Sequence, residues 1–238
     1  MLEVRDAGLP DLLEQSYRVA ERLALESDML DPRLRSVGFY DNGRKLSEDE
    51  PELASETFDA LTRLGQDATA FVHAKPWKAG LNIAVGLFVR DGLLFDRGID
   101  CQLLTRAQAD GKPTTYLEGP LDGVTCFDAA PPREQHELLR VAVRDQATVL
   151  REIRRIIDAW RSCNVTELES VAQERLLRLP NLYGCLLIQR SHAWVGEVLK
   201  LTQSRERTLV SVGALHCVGD NGLPTLLAKQ GLSVSRLR

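Results

Sequence analysis

Thr208-Leu209-Val210-Ser211-Val212, followed by Gly213-Ala214-Leu215-His216, is a short β-branched run without charge that breaks at a glycine. Such a run reads as a strand covered on both faces, the type found in parallel sheets. Past the turn, Asp220 or Asn221 can cap a helix that carries Pro224 in its first turn, Leu223, Leu226 and Leu227 along one side, and Gly231 as its stop. Leu232 to Leu237 then alternates as a further strand. The unit is strand, loop, helix, strand. It sets His216 just beyond a strand's carboxyl end, where open α/β sheets bind their ligands. A loop histidine bonded only to backbone is the plainer reading of the same spacing.

The same logic recurs upstream. A helix with Ile99, Leu103, Leu104 and Ala107 stops at Gly111, and the strand Thr114-Thr115-Tyr116-Leu117 ends at Glu118. Glu118 therefore holds the same kind of place as His216. If the two strands are neighbours, a carboxylate and an imidazole share one end of a sheet. Asp100, near the start of that helix, reads either as a partner of the helix dipole or as a site carboxylate.

The remaining segments read as helices and loops. Leu9 to Leu25 has a helical period, Asp28 to Ser47 a loop composition, and a helix from about Ser47 or Ser55 runs to Leu64. Thr69 to Arg90 is apolar nearly all round, as in a core helix. Pro131-Pro132 opens the longest helix, striped from Leu139 to Trp160, and Thr166 with Glu169 has capping-box spacing for the next, which runs to about Arg178. In the helix Leu182 to Leu201, Tyr183, Leu187, Arg190, Trp194 and Val198 share a stripe, so a guanidinium interrupts an apolar row. It is either paired there, facing a polar cleft, or snorkelling to solvent. His192, on the adjoining stripe, reads as a satisfied core histidine, His73 as a surface or helix-cap residue, and His136 as a surface residue. The expected fold is helix-rich α/β: a small central, mostly parallel or mixed sheet in one domain over residues 1–238, with a long helical insertion at about 128–202.

Composition narrows the function classes. A chain of 238 residues can bury about 70–75% of its unfolded surface without staples. The net charge of −4 supplies no basic field, so nucleic acid is not an expected partner. Five cysteines, none in C-x-x-C, signal neither a zinc knuckle nor a disulfide framework, and reduced, mostly buried thiols are expected. The stretch from Leu81 to Phe95 is interrupted by Arg90 and Asp91 and is too short to span a bilayer. Glu3, Arg5 and Asp6 stand where a signal peptide needs its apolar core, so the chain as written is expected in the cytoplasm.

The closing segment, together with Lys75-Pro76-Trp77, Gly98-Ile99-Asp100, Gly111-Lys112-Pro113 leading to Leu117-Glu118, Phe127-Asp128, Asp158-Ala159-Trp160, and Arg190 with Trp194, resembles the TraB/GumN family, which includes the Tiki metalloproteases. The similarity covers nearly the whole chain. It implies an α/β domain with two Gly-x-x-His motifs and a glutamate at its site, metal-dependent peptidase activity in the Tiki branch, and a distant fold relation to erythromycin esterases. Glu3 is the position that resembles the family glutamate. Two departures stand out. No first Gly-x-x-His precedes Met1-Leu2-Glu3-Val4, and Ser191 stands where the family usually has asparagine. Either half the site is lost or the start lies upstream, in which case export to the periplasm is expected.

Three functions follow from these residues together with what the resemblance implies. In the first, a truncated, weakly active or inactive peptidase-type hydrolase, His216 with Glu3 or Glu118 holds a divalent metal that activates water, and Arg190 orients the substrate. Catalytic zinc usually takes three protein ligands, and this set is short of that. In the second, an esterase-like hydrolase without metal, His216 is the general base. The third is a non-catalytic binding or scaffold protein linked to exopolysaccharide (gum) production. The substrate is a peptide or small molecule of unstated identity.

Overall fold

The computed structural model describes residues 3–4, 10–94 and 97–237. In chain order, β1 (Glu3–Val4) leads to α1 (Asp11–Val19) and β2 (Arg22–Leu25). Then come α2 (Pro51–Arg63), α3 (Pro76–Arg90), β3 (Leu93–Leu94), α4 (Ile99–Ala109) and β4 (Thr114–Tyr116). A run of six helices follows: α5 (Asp122–Ala129), α6 (Pro132–Arg144), α7 (Gln146–Arg161), α8 (Val165–Arg178), α9 (Pro180–Tyr183) and α10 (Arg190–Thr202). β5 (Thr208–Ser211) and α11 (Leu223–Lys229) close the chain. The architecture is the expected helix-rich α/β.

β2 is the middle strand of a parallel sheet ordered β4-β2-β5. Leu23 pairs with Thr114 on one side and Leu209 on the other, and Leu25 with Tyr116 and Ser211. β1 and β3 form a separate antiparallel pair, Glu3 opposite Leu94. This amino-terminal strand thus lies outside the main sheet.

The helix expected over Leu9–Leu25 is corrected: it ends at Val19, and Ala20 turns extended with φ −73° and ψ 137°. Leu23, Ala24 and Leu25 are all buried. Three consecutive buried positions suit a strand covered on both faces, whereas on a helix they would span most of the circumference. Leu232 to Leu237 is corrected as well. It forms no strand, and Val234 and Leu237 are exposed, so its alternation has no face to bury. The long helix expected from Pro132 breaks into α6 and α7 at Asp145, whose side chain caps α7 by accepting the Thr148 N–H at 3.2 Å. At α8 the cap is Asn164, which accepts the Glu167 N–H, rather than Thr166.

α2, α3 and α6 share one apolar core built on Leu53, Leu61, Ile83, Leu87 and Leu139. Gly80 lets α3 and α6 meet closely: a Cβ there would stand 3.1 Å from the Leu139 Cα. A second cluster, Tyr17, Leu23, Leu25, Ile99 and Leu103, packs α1 and α4 against the sheet, and a third, Ala24, Leu117, Trp194, Val198 and Leu223, packs α10 and α11 against it. Helices thus cover both faces of β2.

The cysteine expectation is overturned. Cys126 and Cys185 form a disulfide, while Cys163 and Cys217 are exposed and Cys101 half-buried. The bridged pair is 59 residues apart in sequence, with Cα atoms 5.6 Å apart. Helix packing makes that proximity, and spacing cannot reveal it. Among the described residues, no helix is long and apolar enough to cross a membrane.

Candidate functional site

The parallel register brings three strand tips level. Leu117 N–H donates to the Leu25 carbonyl at 2.9 Å, and the N–H of Glu118 to the Glu26 carbonyl at 3.0 Å. Glu26 and Glu118 therefore leave adjacent strands side by side, with Gly213 just past the end of β5. Gly213 N–H donates to Glu26 Oε1 at 2.5 Å. A Cβ at Gly213 would lie 3.2 Å from that oxygen and 3.6 Å from His216 Cδ2, so the glycine keeps the carboxylate and the imidazole close.

Arg190, on the first turn of α10, reaches across these tips. Its Nε donates to Glu118 at 3.0 and 3.1 Å, and Nη2 donates to Glu118 Oε1 at 2.6 Å and to Glu26 Oε2 at 2.9 Å. Its Nη1 makes a 3.4 Å contact with the Leu186 carbonyl. Trp194, one turn on, donates its indole N–H to Glu118 Oε2 at 2.9 Å, and the Arg190 guanidinium lies 4.8 Å from its ring centroid. The side chains of Glu118, Arg190 and Glu26 are 7%, 15% and 24% exposed. Glu26 is thus the most accessible of the three charges. Burial works against the guanidinium's charge, but the Glu118 hydrogen bonds and the charges of both glutamates outweigh it and hold Arg190 protonated. The sequence stripe left Arg190 either paired or snorkelling; it is paired.

His216 stands behind this trio, buried, in the turn Ala214–Cys217. Its Nδ1 is 2.8 Å from Ser191 Oγ, and its ring centroid is 4.4 Å from that of Trp194. Burial first, and the nearby Arg190 charge second, lower its pKa to about 3, against a hydrogen bond with the Leu187 backbone that favours the charged ring. The imidazole is neutral at neutral pH. A base that weak is poorly matched to taking a proton from water there.

The sheet end thus gathers His216, Glu118 and Arg190, and adds Glu26, which the sequence reading missed. Its signal was present: Glu26 follows the apolar run Leu23-Ala24-Leu25 as Glu118 follows Leu117, but the helical period of α1 masked the strand. Glu3, the other expected metal ligand, has its side chain outside the described residues. Among the described residues, no three His, Cys, Asp or Glu side chains are arranged to hold a metal ion. The carboxylate oxygens of Glu26 and Glu118 instead face the cation and N–H donors, and His216 Nδ1 faces Ser191. This donor set does not fit a preformed cation site.

Other singled-out residues fall nearby or away. Asp100 accepts the Ser211 hydroxyl at 2.8 Å at the end of β5. His192 is exposed and bonded to Asn221 at 3.1 Å, not a core histidine, although Ile188 and Val195 on its stripe are half-buried. His136 is buried rather than superficial, with Nδ1 2.9 Å from Glu50. His73 is exposed, as expected, with Nδ1 2.9 Å from the Arg44 carbonyl. Cys217 is exposed as a residue, yet desolvation, then the Glu26 charge, push its thiol up to about 11. The thiol keeps its proton at neutral pH. The upstream motif residues form a latch: Trp77 Nε1 donates to Asp128 at 2.6 Å, Lys75 pairs with Asp128 at 3.0 Å, and Trp77 stacks on Phe127.

The family model described as the TraB/PrgY/gumN family matches residues 1–236. The chain is 26% identical over 230 residues to the uncharacterized protein YbaP of Escherichia coli (strain K12), an alignment covering 93% of this chain and 82% of that protein. The protein of the same name from Shigella flexneri is similar to the same extent. No solved structure matches.

Proposed function

The chain belongs to the TraB/PrgY/gumN family, and from that premise and the charges at its strand tips we propose a hydrolase-type site for a peptide or small-molecule acyl substrate. One observation carries the proposal: two glutamates from adjacent parallel strands share one largely buried arginine where open α/β sheets take their ligands. Glu26, the more accessible carboxylate, takes a proton from water as that water attacks the acyl carbon. Arg190 offers the donor capacity of Nη1 to the oxygen that gains negative charge. Glu118 and Trp194 hold the guanidinium in place. The proton taken by Glu26 returns to the leaving group. His216 remains neutral and supports the wall formed by Trp194. No step passes through a metal, since a cation would first have to draw both glutamates away from Arg190.

A second reading, a non-catalytic scaffold, is favoured by the degree to which the site groups satisfy one another. A panel of chromogenic esters and peptides separates the two. Turnover that survives chelation and falls by about 10²-fold or more in Glu26→Gln supports the hydrolase. Turnover lost on chelation and regained with zinc or manganese transfers the work to a metal. No turnover on any substrate, with a Glu26→Gln variant that folds normally, leaves the scaffold.

A further inference from the structure

The Cys126–Cys185 bridge joins the two segments that meet at the strand tips. On one side, Glu118 leads directly into α5 through a turn in which Asp122 accepts the Gly119 N–H at 2.9 Å. Gly123 then lies against the ion pair: a Cβ there would be 3.5 Å from Arg190 Cζ and 3.6 Å from Glu118 Oε1. Cys126, three residues on and therefore on the same side of α5, is buried. On the other side, Cys185 lies in a π-helical stretch, Gly184–Gln189, that runs straight into Arg190. Such stretches recur at functional sites, where they redirect side chains. Here the stretch supplies the Leu186 carbonyl to Arg190 and the Leu187 backbone to His216. One covalent bond therefore ties the Glu118 side of the site to the Arg190 and His216 side.

We propose that this disulfide is a redox-controlled positioning device: closed, it sets Arg190 and Trp194 against Glu118, and opened by a dithiol reductant it releases that register. The exchange balances without another reactant. One thiolate of the dithiol attacks the Sγ of Cys185, the less buried residue of the two, forming a mixed disulfide and releasing Cys126 as a thiolate. The second thiolate of the reductant closes its own disulfide and releases Cys185. Two electrons pass from reductant to protein, and both cysteines take up protons. Trp194 reports the state of the bridge whether or not the site hydrolyses a substrate.

The test uses the full chain with the Trp194 indole N–H cross-peak assigned in a 15N-1H spectrum through Trp194→Phe. Alkylation in denaturant should count three thiols before dithiothreitol, Cys101, Cys163 and Cys217, and five after it. At a temperature where far-ultraviolet circular dichroism shows the reduced protein folded, the Trp194 peak should shift or broaden beyond detection, and reoxidation should restore it. The Cys126→Val, Cys185→Ala double variant should show the reduced spectrum and ignore dithiothreitol. An unmoved Trp194 peak after full reduction of a folded protein overturns the proposal, as do five reactive thiols in the untreated protein. Complete unfolding of both the reduced protein and the double variant also overturns it, since a local device requires the rest of the fold to stand.

Discussion

Arg190 at the strand tips and Arg144 on the helical layer each grip a glutamate, in very different surroundings. Arg144 meets Glu56 across α2 and α6 at 2.7 Å with both side chains open to water, 46% and 42% exposed. Solvent screens such a pair, and ordering two long side chains offsets most of what attraction remains. Beneath it, the helical core is apolar and is held by burial of leucine, isoleucine and alanine. At the strand tips the charges lie inside, and removing one leaves a remaining charge short of an ion-pair partner in a poorly solvated place. The difference teaches that ion pairs stabilise or endanger this fold according to depth. A charge cluster kept at depth, at the ligand-binding end of a parallel sheet, is the feature that singles out the site.

The sharpest way to break this contrast is to remove a buried partner. Glu118→Ala leaves Arg190 without its main acceptor and should cost about 3–5 kcal/mol in chemical denaturation. A loss indistinguishable from that of a surface variant would mean that water already screens the cluster. Leu139→Ala, in the apolar core between α3 and α6, should cost about 2–5 kcal/mol through a cavity. It should leave the Trp194 indole resonance unmoved, so a shift there would show that the two regions are mechanically one.

Acid sharpens the comparison next. The His216 ring titrates near its ordinary 6.5 when unfolded and at about 3 when folded, so between those values the unfolded chain binds the extra proton. Its contribution to stability is complete above about pH 6.5 and is lost as the pH falls toward 3. The slope is at most about 1.4 kcal/mol per pH unit. His216→Asn should flatten that part of the stability profile relative to the parent protein, and parallel profiles would place the ring in solvent. The smallest effect belongs to the surface pair. Arg144→Gln should leave the denaturation midpoint where it was, and a clear drop would show that the helical layer also leans on its charges.

Much of the site was legible one strand at a time. β4 and β5 are uncharged runs that end at Glu118 and at Gly213 with His216 beyond, and Arg190 announced itself as a charge in an apolar row. β2 was not legible, because α1 and β2 together imitate a single helical period and Glu26 disappears into it. The pairing of Cys126 with Cys185 was hidden for another reason: nothing local in either helix records that they face one another. The alternating tail after Gly231 misled in the opposite direction, since a period of two builds a strand only where an edge is free to receive it.

The amino-acid order alone determined which segments become helices and strands over most of the chain, the family to which it belongs, and the polar residues that end two of the strands. Those properties follow from neighbours within a few positions. Which strand lies in the middle, which carboxylates share Arg190, how far His216 is sealed from water and which thiols meet were decided only by tertiary packing. They depend on residues distant in the chain, 59 positions apart for the two thiols, 164 for Glu26 and Arg190 and 187 for Glu26 and Gly213, and only the burial of common apolar faces brings such residues together.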